Sequence, residues 1–256
     1  MQPALGIAIC LVAVFQPVSS ALVPPPHYDG VITLGPERDQ VSASLRISLK
    51  VPASSEYRLL LGRSFKIAHI EAEGATVTVE DTEQPFPGIL QAIILRTAAR
   101  ASRDVQVRVT YAGKLVQMQQ PPMNSVSPEL VELSVDSWWL PYPSSLNGGL
   151  IADVEFRGIP EGATVVSTGE VANEKNSVRV RLATANDLAL IAAPHLREVR
   201  AGKLLFYADD PGSELAQTYL KHGVQALAEL ESLYGPIPDG SARIVIVPRP
   251  APNGYN

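Results

Sequence analysis

Four histidines, His27, His69, His195 and His222, are the residues best suited to ligate a transition metal. No two of them have ligand spacing, and the chain has no His-Glu-x-x-His motif. His222 lies in a helical stretch with Gly223 behind it. His69 alternates with apolar neighbours as a strand residue does, and His195 follows Pro194 in a loop. All of them read as surface or satisfied residues rather than as ligands. Asp153 and Glu155 stand two apart in a strand, so they face the same way. Charged strand surfaces keep sheets soluble, and that reading is favoured over a paired-carboxylate site. Asp209 and Asp210 precede a helix, where capping accounts for them. There is no Gly-x-Ser-x-Gly elbow, phosphate loop or dinucleotide fingerprint.

The other conspicuous group is aromatic. Trp138 and Trp139, the only two tryptophans of the chain, run into Leu140-Pro141-Tyr142-Pro143. Large aromatics fill cores and domain seams, and they also line clefts for peptides or sugars. Packing at a seam is the favoured reading for Trp138, Trp139 and Tyr142, with a cleft as the second.

The elements that position these residues are mostly strands. The chain has 256 residues, a net charge of -5, 46% hydrophobic and 18% charged residues, a globular composition without a basic footprint for nucleic acid. From Val41 to Leu49, apolar residues alternate with Ser, Arg and Lys, giving a strand with one wet face. Similar runs, punctuated by Gly and Pro, continue to about residue 208 without a helical period. They predict an antiparallel β-sandwich or saddle.

Beyond Asp209 the pattern changes. Residues 210–234 predict one helix, with Asp210 as its cap, Pro211 in its first turn and Gly235 and Pro236 at its end. Leu215, Tyr219, Ala226, Leu230 and Leu233 form its apolar face, with Leu220, Val224 and Leu227 beside them. A buried-type strand over 242–247 follows.

At the other end, the apolar run from Ala4 to Phe15 has the length of a signal-peptide core and is too short for a bilayer. Residues 1–20 are therefore expected to be a signal peptide, which places the protein in the periplasm or outside the cell. Its removal takes away Cys10, the one cysteine, and with it any disulfide or thiolate zinc site.

Several stretches in order, "VRVTYAGKL", "WWLPYPSS", "RGIPEGATVVSTGE" and "LLFYADDPGSELAQTYLKHGVQALAELESLYGPIPDGSARIVIVPRP", resemble the N-terminal part of the membrane alanyl aminopeptidase family of zinc aminopeptidases, the gluzincins. The most specific piece is Tyr234-Gly235-Pro236-Ile237-Pro238 followed by Ala242 to Val247. The resemblance implies a β-saddle domain over 21–208 and the start of an α+β, thermolysin-like catalytic domain over 209–256. The family's zinc-binding signatures lie further on, so zinc is expected in a downstream domain and no hydrolysis from this chain alone. The β-domain of the family forms one wall of the peptide cleft, with an acidic or amide side chain near the peptide's free amine. Glu132, and after it Asp136, stand where that group is expected. The implied partners are a peptide substrate and the catalytic domain, with a membrane involved only through the signal peptide or a later segment. The competing expectation is a self-contained exported β-sandwich for binding or adhesion, without enzymatic activity.

Overall fold

The computed structural model describes residues 24–53, 56–82, 85, 88–98, 101–116, 124–145, 149–237 and 241–247. The expected signal peptide and Cys10 lie outside the described residues.

The first strands are β1 (His27–Leu34), β2 (Gln40–Val51), β3 (Glu56–Gly62), β4 (Lys66–Glu73), β5 (Thr76–Thr82), β6 (Leu90–Arg96) and β7 (Arg103–Lys114). There follow β8 (Ser125–Val126), β9 (Val131–Leu133), a 3-10 turn (Val135–Ser137), β10 (Tyr142–Pro143), β11 (Leu150–Arg157), β12 (Thr164–Ser167), β13 (Glu170–Asn173) and β14 (Ser177–Ala185). The last elements are β15 (Leu190–Ala193), β16 (Arg197–Ala201), β17 (Leu204–Ala208), α1 (Glu214–Tyr234) and β18 (Ala242–Val245).

A seven-stranded sheet, in the order β13-β14-β11-β1-β2-β7-β4, carries the fold. Its pairs are antiparallel except β1 with β11. Alternation gives it one dry face: Tyr28, Ile32, Val41, Leu45, Ile47, Val107, Tyr111, Val154 and Val180 are all buried. They join one core with Leu59 to Leu61 of β3, Ile93 to Leu95 of β6, Leu133 of β9 and Leu190 of β15. Two smaller sheets, β10-β3-β6-β5 and β12-β15-β9-β8, thus share that core with the large one. The protein is mainly β, with its helix and last strand at the C-terminal end.

The other face of the large sheet is wet. Glu170, Arg181, Asp153, Asp29, Arg46, Arg108 and Glu71 stand opposite one another in turn across all its strands. Four of these six cross-strand pairs join opposite charges and favour the register, whereas Asp153–Asp29 and Arg46–Arg108 set like charges face to face.

A fourth sheet, β16-β17-β18, runs antiparallel then parallel. It spans the expected boundary at 208/209, since β16 and β17 lie before it and β18 after it. β17, α1 and β18 form a βαβ unit. The helix begins at Glu214 and not at Asp210: residues 210–213 turn, and the Ser213 hydroxyl caps it by accepting the Ala216 N–H at 3.2 Å. Asp210 instead closes the preceding turn by accepting from Gly212 N. Gly235 ends the helix at φ +86 and ψ 174, so its positive φ is extended rather than left-handed helical. The last strand is shorter than expected, ending at Val245.

Candidate functional site

The aromatic stretch is an irregular segment between β9 and β10. Ser134 is extended, Val135–Ser137 make a 3-10 turn, and Trp138 takes the left-handed conformation at φ +49. That conformation costs a bulky residue about 1–3 kcal/mol and persists only when its surroundings impose it. Here they do. Asn124 Oδ1 accepts from Ser134 N at 2.6 Å. Asp187 Oδ2 accepts from Val135 N at 3.0 Å, and its Oδ1 accepts from the Tyr142 hydroxyl at 2.8 Å. Trp138 O accepts from Gly62 N at 2.8 Å, and Trp139 O from the Tyr111 hydroxyl at 2.9 Å. Pro141 O accepts from the Tyr28 hydroxyl. Groups brought from β1, β3, β7, Asn124 and Asp187 thus satisfy the polar backbone of a segment that no strand ladder could satisfy.

Burial pushes Asp187 above the usual carboxylate range. The Val135 N–H and the Tyr142 hydroxyl oppose that shift, and the nearby charge of Asp136 adds to it. Burial, and then the Asp187 carboxylate, push the Tyr142 hydroxyl well up. Tyr28 and Tyr111 are raised by burial too. All three hydroxyls are neutral donors.

Trp138, Trp139 and Tyr142 are buried in the main core. Trp138 meets Tyr142 edge-on at 6.0 Å, and Trp139 lies tilted on Phe156 at 6.0 Å. The indole N–H of Trp139 is buried without an acceptor among the described residues. Glu132 is half-buried on β9, opposite Ser125 on one side and Ile191 on the other. Asp136 is exposed on the turn, where the Ser134 hydroxyl donates to its Oδ2 at 3.5 Å. Glu132 thus lies just before, and Asp136 within, a segment whose aromatics are buried.

Asp153 and Glu155 share a face, and each is paired with an arginine. Arg179 bonds Asp153, and Arg157 bonds Glu155 at 2.7 Å. These bonds hold both carboxyls below their usual range, so they are ion-pair members and poor proton donors. A groove of about 570 Å³ is lined by His27, Asp153, Glu170, Arg181 and Arg243, and neither Glu132 nor Asp136 lines it. Among the described residues, no group of three His, Cys, Asp or Glu is placed to hold a metal ion. The described residues therefore do not assemble a donor set that fits zinc.

Sequence reasoning missed Asp187 and Asn124. Asn186-Asp187 before an apolar run reads as a turn, and nothing local points to Tyr142, 45 residues away.

No family model and no curated protein matches the chain. Solved structures do match. Leukotriene A4 hydrolase from Saccharomyces cerevisiae superposes with a TM-score of 0.60 at 14% identity, over 88% of this chain and 37% of that one. The M1 zinc metallopeptidase of Deinococcus radiodurans bound to Tyr-Ser-Ala gives 0.58 at 16% identity, over 90% and 58%. A two-domain M1 zinc metallopeptidase bound to L-tryptophan gives 0.56 at 17%, over 92% and 59%. At these identities the likeness is one of fold. The chain has the β-rich fold of part of the M1 metallopeptidases, and it spans well under two thirds of their length.

Proposed function

We propose that the chain is the N-terminal, non-catalytic portion of an exported zinc aminopeptidase-like metallopeptidase, and that its β-domain forms one wall of a peptide-binding cleft. The observation that carries this reading is the asymmetry of the likeness: about nine tenths of this chain matches, but only 37–59% of each relative. Zinc would belong to the remaining domain, and no step of the role proposed for this chain runs through it. What this chain contributes is binding. Glu132 and Asp136 offer negative charge to the ammonium group of a peptide's free N-terminus. Tyr-Ser-Ala and L-tryptophan, held by two of the relatives, both carry such a group. Hydrogen bonds from Tyr28, Gly62, Tyr111 and to Asn124 and Asp187 tie down the segment between β9 and β10, and such pre-organisation lowers the ordering cost of binding.

The test is kinetic, in the natural gene product. Asp136→Asn or Glu132→Gln should raise KM for free-amine peptides about tenfold, the worth of one charge-assisted hydrogen bond. KM unchanged in both variants would remove the cleft wall from the account.

A further inference from the structure

The turn between β12 and β13, Ser167-Thr168-Gly169-Glu170, borders the groove of about 570 Å³. Side chains fix this turn to the segment before β15. The Ser167 hydroxyl donates to Ala189 O at 2.7 Å. The Thr168 hydroxyl donates to Asp187 O at 3.0 Å and accepts from Ala189 N at 3.1 Å. Gly169 lies so close to β14 that a Cβ there would come within 2.5 Å of Arg181 O and 2.9 Å of Arg181 C. Those are backbone atoms, which do not yield as the end of a flexible side chain does, so the close approach needs glycine. The wall is therefore built into the fold.

Two opposite charges on this wall have no charged partner. Arg243, on β18, donates to Ser167 O at 3.2 Å and forms no ion pair among the described residues. Glu170, at the start of β13, likewise forms none among them. The other charges of the groove are engaged. Asp153 is held by Arg179 and, at 3.7 Å, by Arg181, and His27 stands near the same carboxylate. Three residues lead from Ser167 to Glu170, at most about 10 Å of extended chain. The Arg243 guanidinium and the Glu170 carboxylate are thus set near the two ends of one short turn, unpaired with each other.

A cation and an anion held in this way fit a small ligand that carries both charges. A guanidinium has five N–H donors and takes a carboxylate on two of them at once, and Ser167 O uses one of Arg243's. A carboxylate such as that of Glu170 takes an ammonium. A second groove, of about 310 Å³, shares Thr168 and Arg243 with the first and is lined by Val166, Ile191 and Val245. It offers an apolar surface beside the charged one. We infer that these joined grooves bind a free α-amino acid with an apolar side chain, its carboxylate on Arg243 and its ammonium on Glu170. Neither Glu132 nor Asp136 lines either groove, so the site stands apart from the proposed cleft wall and does not rest on it.

The test is calorimetric titration of the natural gene product with L-leucine. Arg243→Gln and Glu170→Gln should each weaken binding at least about tenfold, the worth of one charge-assisted hydrogen bond. Arg243→Lys, which keeps the charge but loses the planar fork, should fall between wild type and Arg243→Gln. The ligand side of the test needs no variant. N-acetyl-L-leucine lacks the ammonium and L-leucinamide lacks the carboxylate, and each should bind wild type at least about tenfold more weakly than L-leucine. Absence of L-leucine binding overturns the site, and so does N-acetyl-L-leucine or L-leucinamide binding as tightly as L-leucine. Binding that survives both Arg243→Gln and Glu170→Gln but is lost in Glu132→Gln puts the amino acid in the proposed cleft and overturns this site alone.

Discussion

Asp187 ties together the turn carrying Asp136 and the nearby strand carrying Tyr142, accepting from the Val135 N–H and the Tyr142 hydroxyl. Asp187→Ala leaves the Val135 N–H and the Tyr142 hydroxyl without their acceptor. Such losses cost about 1–3 kcal/mol per unsatisfied group. Denaturant melts should therefore show a loss of about 2–5 kcal/mol by that same scale, and a loss below about 0.5 kcal/mol, the scatter of ordinary surface substitutions, would mean that the staple is not structural. The same residue fixes a pH dependence. Its carboxyl is raised in the folded chain by burial. The folded state therefore holds its proton where the unfolded state has lost it. This contribution is full below the ordinary carboxylate value of about 4 and fades as pH rises through the folded-state value. The stability of wild type minus that of Asp187→Asn should accordingly fall with rising pH across that window. A flat or rising difference would contradict the assignment. None of this was legible beforehand. Glu132 and Asp136 stood out only through the family resemblance, which expects an acidic group shortly before the aromatic run, whereas Asp187 acts through a partner 45 residues away.

At the scale of elements, strands were far more legible than the direction a helix faces. The alternation from Val41 to Leu49 foretold which side of β2 is dry, because period 2 leaves only two choices and one is polar. In α1 the apolar residues occupy two arcs, so the 3.6 period does not choose between them. Gly223 does, since the side-chain ends of Ile244 and Leu204 approach its Cα closely enough to leave no room for a large side chain. Gly223→Ala should be near neutral, because about 1 kcal/mol of helix propensity offsets the small shift of two flexible side-chain ends. Gly223→Leu has no such compensation and should cost about 1–3 kcal/mol through overpacking. A Leu variant as stable as wild type in thermal melts would mean that α1 does not dock through this face.

For the whole molecule, the β-rich architecture and its likeness to part of a metallopeptidase were readable from the order of the strands and the late helix-strand step. The sheet assignments were not. β1 pairs in parallel with β11, which follows it by more than a hundred residues, and no local pattern encodes a partner at that distance. The division of labour between this chain and the remainder of its relatives' length is the central claim. It is tested most directly by purifying the natural gene product beside the 256-residue chain, measuring the intact mass of the former, and assaying both on aminoacyl anilides. The account predicts a natural polypeptide extending past Asn256 that releases the anilide, and a 256-residue chain that does not. A natural product ending at Asn256, or anilide release by the 256-residue chain alone, would contradict it.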